Sequence, residues 1–438
     1  MLNERLQLQQ YIEPHPIMYK DKKYRIAYVS LIKYLCEKSA EDGQWSDSMV
    51  MLMKERIMGG EEFLPVKIDS NNAVIFGSKK DPVLKHKFQK YRYNILTDCL
   101  FINAFDDRKK GKLILTRICK LFPNNKNKLI RLFELFYKVD PIEIKKEFSM
   151  MEEIYSIIGT NRGFLSKPEK RIMITANMSA GKSTLLNALA GKKVNKTQND
   201  TCTAKIHYLY NKAGEDSFSY EFDHDLELNA SREMLMEDNE ENETLEIVVG
   251  TRFRSINEID SRICFIDTPG VNSSQNKDHR ELTDGVISDE NCELLIFLLN
   301  GENIGTDDDV KHLRYVYESY HGEILFLVNK LDRFKKDIDS VRGTLEKVKE
   351  DLTKKGFENP KVYPISAYAA YLAKMSMFGE LLTEDEIDDM DFRKRKLSRE
   401  EFRYDKYFDI PSPKIDENNE NEVLLRNSGI LALEQLIY

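Results

Sequence analysis

The sequence predicts two domains of different class: an all-helical N-terminal domain over 1–160, and an α/β domain with a mostly parallel sheet over 168–438. Three observations carry this reading. Before about residue 160, apolar residues recur every three or four positions. After 168, short apolar runs alternate with amphipathic stretches. One of those runs leads straight into a Gly-Lys-Ser loop that opens a helix.

Composition removes several alternatives. Of the 438 residues, 41% are apolar and 32% charged, which is a globular balance. The longest apolar run, Leu294 to Leu299, is six residues, far below the ~18 that span a bilayer. The start, MLNERLQLQQYIEPHP, has no basic head followed by an apolar core, so no secretory leader is expected. Cysteines 36, 99, 119, 202, 264 and 292 form no CxxC pair, and the seven histidines show no metal-ligand spacing. A disulfide framework and a zinc site are therefore not expected, and reduced thiols in a cytoplasmic setting are.

In the first domain, Ile26, Val29, Leu31, Ile32, Leu35, Met49, Leu52 and Met53 fall at helical spacing, broken near Asp42-Gly43. A less regular stretch over 60–90 holds Pro65, Gly77 and Pro82. Helical patterns resume at 92–104, 112–121, 127–139 and 141–158, separated by breakers such as Pro123-Asn-Asn and Asp140-Pro. Residues 1–160 carry 28 Lys+Arg against 21 Asp+Glu, and 79–131 carry 15 against 4. Such a basic stretch suits either a solvated face or a phosphate-rich surface, whether anionic membrane or nucleic acid. Phe88, Tyr91, Tyr93, Phe101 and Phe105 interleave there at helical spacing, which favours core packing over base stacking.

In the second domain the strand candidates are 172–175, 263–266, 294–299, 324–328 and 362–365. The helix candidates are 182–190, 306–320, 335–355 and 368–376. Two polar insertions, near 211–243 and 377–422, read as surface excursions.

Four strings after these strands point to nucleotide chemistry. Ala176-Asn177-Met-Ser179-Ala180-Gly181-Lys182-Ser183-Thr184 follows a strand and opens a helix, as a phosphate loop must. Gly181 lets backbone amides face phosphate oxygens, Lys182 reaches the β- and γ-phosphates, and the Ser183 hydroxyl ligates Mg2+. The usual first glycine is here Ala176, which demands a negative φ. Asp267-Thr-Pro-Gly270 follows the run ICFI, placing a carboxylate to hold Mg2+ and a Gly270 N–H to sense the γ-phosphate. Asn329-Lys330-Leu-Asp332 follows EILFLV. Its Asp332 carboxylate pairs with the guanine ring N–H and exocyclic amine, a recognition that can discriminate by ~10⁴. Lys330 covers the base, Asn329 braces neighbouring loops, and Ser366-Ala367 supplies an N–H to the guanine oxygen. Each string alone is an ordinary turn; four in this order on strand ends predict a phosphate-loop GTPase domain.

The strings NMSAGKSTLLNALAG, TCTAKIHYLY, FIDTPGVNSS, LLIFLLNGENIGTDDDV and LVNKLD resemble the bacterial branch of the dynamin superfamily. The likeness covers about 168–332 and thins over 333–438, where RNSGILALEQLIY looks like a closing helix. It implies a large GTPase that hydrolyses GTP to GDP and is activated by assembly or by dimerisation, the homodimer forming through the GTPase face. It further implies a switch threonine on Mg2+, matched to Thr203 with Thr201 as the alternative. It makes Ser179 the serine that orients the catalytic water and a charge-compensating cation, K+. Val271 stands where many regulatory GTPases place a water-orienting glutamine. No pattern for a long stalk or an apolar membrane tip is visible, so GTP hydrolysis follows from the likeness more directly than membrane remodelling. A cytoplasmic protein, peripheral at the inner face of an anionic membrane, is the expected setting. The alternative is a GTP-switched binding protein whose basic helices engage RNA, ribosome or a protein partner. Upstream, Cys36-Glu-Lys-Ser-Ala-Glu-Asp-Gly43 followed by SDSMVMLMKERI is similar to the helix, acidic-Gly turn, helix units of TerB-like domains.

Overall fold

The computed structural model describes residues 2–37, 43–77, 88–177, 179–194, 205–237, 246–268, 287, 292–335 and 340–438. The chain divides into two compact units, one of 1–166 with 213–220 and 225–229, the other of 167–212, 221–224 and 230–438.

The first unit is built from helices Lys22–Glu37, Gly43–Met53, Arg92–Asn103, Arg108–Leu121, Lys126–Lys138, Pro141–Glu147 and Glu152–Leu165. Capping sets several of their starts. Asp107 accepts from the N–H groups of Lys109 and Lys110, and Asp140, just before Pro141, accepts from those of Ile142 and Glu143. The periodic stretch 141–158 is two helices, not one. The chain breaks at Phe148, whose ring is buried and meets Tyr93 edge-on at 5.1 Å. Burying that aromatic outweighs continuing the helix. Phe88, Tyr91, Tyr93, Phe101 and Phe105 are all buried, which removes them as stacking platforms for bases. Lys109, Lys112, Arg117, Lys120, Lys126 and Lys128 lie exposed. Asp98, also buried, accepts from the hydroxyls of Tyr28 at 2.6 Å and Tyr11 at 3.1 Å. The turn of the TerB-like string, 38–42, lies outside the described residues.

Two findings depart from an all-helical domain with a loose polar insertion. β1 (Val66–Ile68) and β2 (Val74–Phe76) form an antiparallel hairpin. Its turn is held by Asp69, which accepts from the N–H groups of Asn71 and Ala73 at 2.9 Å. Residues 213–220 and 225–229 pack into this same unit with Phe218, Tyr220, Leu226 and Leu228 buried. Tyr220 donates to the Leu8 carbonyl at 2.9 Å, and Asp216 accepts from the Gln10 N–H at 2.6 Å. Such partners lie about 200 residues away, so composition alone read the segment as a surface excursion.

The second unit holds β3 (Glu169–Ala176), β4 (Ile206–Asn211), β7 (Glu246–Thr251), β8 (Arg262–Asp267), β9 (Leu294–Asn300), β10 (Glu323–Asn329) and β11 (Lys361–Ile365); the short β5 (Tyr220–Phe222) and β6 (Leu226–Glu227) fall between β4 and β7 in the chain, β6 within the 225–229 stretch of the first unit. The sheet runs β11-β10-β9-β3-β8-β4-β7. All of these neighbours for which a register is resolved are parallel except β4 and β8. Helices Lys182–Ala190, Asp307–Ser319, Val341–Lys354 and Ala367–Met377 follow β3, β9, β10 and β11, covering a sheet in which β8 is buried throughout and β9 in all but Asn300. Each fully buried Leu, Ile or Phe of β8–β10 contributes about 1.5–3 kcal/mol. The insertion at 377–422 is also packed. Thr383 and Glu386 form a capping box that starts helix Glu384–Leu397, and Leu397, Phe402 and Tyr404 are fully buried. Among the described residues no helix is long and apolar enough to cross a membrane.

Candidate nucleotide-binding site

Register gathers the four strings at one edge. Ile174 of β3 pairs with Asp267 of β8, Ala176 with Leu298, Asn300 with Asn329, and Asn329 with Ile365. The carboxyl ends of β3, β8, β9, β10 and β11 therefore open on a common crevice, where open α/β sheets bind ligands.

Gly181 has φ 97° and stands at the N-cap of helix Lys182–Ala190. A Cβ there would lie 2.5 Å from Asn329 Nδ2, so both conformation and space require glycine. Asn329 donates to the Ala180 carbonyl at 2.8 Å and accepts from the Ala367 N–H at 3.0 Å. One buried amide thus ties three of the four strings together. Lys330, in the left-handed region at φ 67°, donates to the Ser179 carbonyl at 2.6 Å. Burial holds its ammonium below the usual lysine range, with nearby Arg333 adding to the shift. Ser179, itself at φ 60°, is exposed. Ser366 caps the helix that Ala367 begins, and both are buried.

Lys182 Nζ lies 2.5 Å from Asp267 Oδ1 and donates to the Thr268 carbonyl. Ser183 and Thr184, half-buried, follow it in the first turn of the helix. The Ser183 hydroxyl and Asp267 carboxylate are hard oxygen donors, the set that Mg2+ takes together with phosphate oxygens and water. Thr203, its alternative Thr201, Gly270 and Val271 lie outside the described residues.

The structure adds residues that the sequence reading did not single out. Asn177 donates its amide to Asp309 and sits 3.2 Å from His312 Nδ1, whose Nε2 is 3.0 Å from Thr175 Oγ1. Thr268 Oγ1 donates in turn to Thr175 Oγ1 at 3.2 Å. The polarity that satisfies every member is a neutral His312 giving Nδ1–H to Asn177 and accepting from Thr175. Burial, reinforced by the Lys182 charge, pushes the His312 pKa down to about 3. A buried relay therefore links the start of the Asp267 string to the phosphate loop. Its anchor, Asp309, was legible as the third residue of the Thr306 capping box; a lone histidine three positions further carried no signal. In the Asn-Lys-x-Asp loop, Asp332 is buried and faces Arg393 from helix Glu384–Leu397. The FRKRK run that contains Arg393 looks like a solvated basic face in sequence.

A parallel sheet with a Gly-Lys-Ser loop, a strand-end aspartate and an Asn-Lys-x-Asp loop on one crevice is the phosphate-loop GTPase fold. Residues 172–331 match the Dynamin family model, so this segment is similar to the dynamin family. It is 26% identical over 268 residues to the Arabidopsis thaliana protein called probable transmembrane GTPase FZO-like, chloroplastic, a match covering 60% of this chain and 26% of that one. It is also 26% identical over 207 residues to Dynamin-like protein A of Bacillus subtilis, covering 44% of this chain and 16% of the relative. The chain thus spans about a quarter of the first relative's length and less of the second's. A solved structure of an oligomerised bacterial dynamin pair aligns over 86% of this chain and 57% of its own at 15% identity and a TM-score of 0.38.

Proposed function

We propose that this chain binds GTP with Mg2+ and hydrolyses it to GDP and phosphate, as a GTPase activated by its own association at a membrane surface. The observation that carries the reading is Asn329, whose two hydrogen bonds join the phosphate loop to the Ser366-Ala367 loop and set Asp332 three residues on. In this reading Lys182 takes the β- and γ-phosphates, and Gly181 and its neighbouring amides cradle them. Asp332 reads the guanine edge, while the N–H groups expected to meet the guanine oxygen are already given, Ser366 N–H to the Ser428 carbonyl and Ala367 N–H to Asn329. Asn177 and Ser179 shape the loop, and Ser183, Thr203 and Asp267 hold Mg2+. Gly270 senses the γ-phosphate. Valine at 271 offers no donor or acceptor, so the attacking water is ordered by Ser179 and the Thr203 loop when two GTPase faces meet, with K+ supplying positive charge. The membrane is supported by the word transmembrane in the name of the FZO-like relative and by the exposed lysines of 109–128. Burial of the aromatics in that segment weakens the RNA alternative.

Titration with fluorescent GDP and ADP, then GTP turnover with and without anionic vesicles, tests the reading. Guanine-selective binding with vesicle-stimulated turnover is expected. Equal affinity for GDP and ADP would overturn the base assignment, and an RNA shift without vesicle flotation would favour the binding-protein alternative.

A further inference from the structure

The base-reading carboxylate is held by an element outside the phosphate-loop core. Asp332 lies in the short turn Leu331–Arg333 after β10 and is 4% exposed. The cation that meets it comes from helix Glu384–Leu397, in the insertion after β11: Arg393 Nε lies 3.2 Å from Asp332 Oδ2, and Arg393 is 5% exposed. Arg393 is itself fixed on two further sides. Its Nη1 donates to Asp389 Oδ1 at 2.8 Å, and its guanidinium lies 4.6 Å from the centre of the Tyr368 ring, the residue next to Ala367. One turn on, Lys396 donates to the Phe334 carbonyl and lies over the Phe402 ring. The helix therefore clasps the loop 331–334 at two points.

A carboxylate has about four lone-pair sites. Guanine needs two, one on each oxygen, side by side in the carboxylate plane. Arg393 Nε approaches Oδ2 as an ion pair without a directed N–H···O bond, so it occupies no lone-pair site and acts as a buried countercharge that favours the carboxylate orientation facing it. It also offsets the cost of burying the negative charge there.

We propose that Arg393 is a specificity-determining positioning residue, holding the Asp332 carboxylate in the orientation that reads guanine. The inference rests on the reading of Asp332 given above. It makes the polar insertion part of the base site and guanine selectivity a property of helix Glu384–Leu397.

The test titrates the full chain with fluorescent GDP, IDP and ADP. Inosine lacks the exocyclic amine, so the wild type should prefer GDP to IDP through the second oxygen of Asp332. Arg393→Met should weaken GDP on the order of 10- to 100-fold. IDP should weaken less, so that the GDP-to-IDP ratio falls toward one. Arg393→Lys, which keeps the charge with less defined geometry, should recover part of the ratio. Asp332→Asn combined with Arg393→Met should bind GDP no worse than Asp332→Asn alone. Thermal melts verify that each variant is folded. If Arg393→Met and Arg393→Lys keep the wild-type ratio, or bind GDP more tightly, the positioning role is overturned and Arg393 is a structural or competing partner. A wild type that does not prefer GDP to ADP would instead refute the guanine reading itself.

Discussion

Protonating His312 should destabilise the element that braces the phosphate loop, by an amount the structure allows to be worked out. The imidazole is buried, packs on the Phe297 ring at 4.8 Å, and faces Thr175, Asn177 and, more distantly, the Lys182 ammonium. Asp309 compensates only through the Asn177 amide. The His312 pKa of about 3 in the fold compares with 6.5 when exposed. The folded value is the lower one, so the opened state binds the proton more readily. Stability is complete above pH 6.5 and is lost as pH falls from 6.5 toward 3. At about 1.4 kcal/mol per unit, the loss is roughly 3 kcal/mol at pH 4.5 and about 4 kcal/mol at pH 3. Opening free energies of helix Asp307–Ser319 from hydrogen exchange at pH 7 and pH 4.5 would measure this, corrected for intrinsic rates. Other groups titrate over the same range, so the quantity to compare is the slope of wild type against His312→Gln, which cannot gain a proton. The wild type should lose about 3 kcal/mol more than the variant. Slopes agreeing within about 0.5 kcal/mol would refute the buried neutral histidine and with it the relay polarity.

Lys182→Ala should abolish tight nucleotide binding and also strand the buried Asp267 carboxylate, costing about 3 kcal/mol of stability. Adding Asp267→Asn should restore the melting temperature but not the binding, and a single variant as stable as wild type would refute the pairing. Asp332→Asn should weaken GDP and improve xanthosine diphosphate, whose ring presents an acceptor where guanine presents a donor; unchanged relative affinities would remove Asp332 from the base site. GTP turnover per molecule should rise between nanomolar and tens of micromolar protein, more in potassium than in sodium. Ser179→Ala should lower the maximal rate more than GTP affinity. A flat specific activity with a monomeric GTP-bound protein in light scattering would replace self-activation by an external activator.

The strands of the second unit and their loops were legible because the relevant signals are local. An apolar run of four to six residues, a breaker and a helix start identify β3, β8, β9, β10 and β11, and each functional string sits within a few residues of its strand end. The strands Ile206–Asn211 and Glu246–Thr251 were not singled out. They are half-polar in sequence and become strands through pairing with each other in parallel, and of the first with β8 in antiparallel sense. The helical periodicity of the first unit was equally local, whereas its hairpin depended on the turn at Asp69.

By itself the sequence determined the order of β3, β8, β9, β10 and β11, the phosphate-loop class of the second unit and which residues stand at those strand ends, because short-range pattern and side-chain chemistry suffice for those. Only the tertiary structure decided which charges are buried and what faces them. Lys182 against Asp267, His312 between Thr175 and Asn177, and Arg393 against Asp332 join residues 60 to more than 130 positions apart. The same basic run that reads as solvated in sequence places one arginine in the interior. Burial of an ion pair is set by the packing of whole elements, and no local pattern encodes which member of a charged run will turn inward.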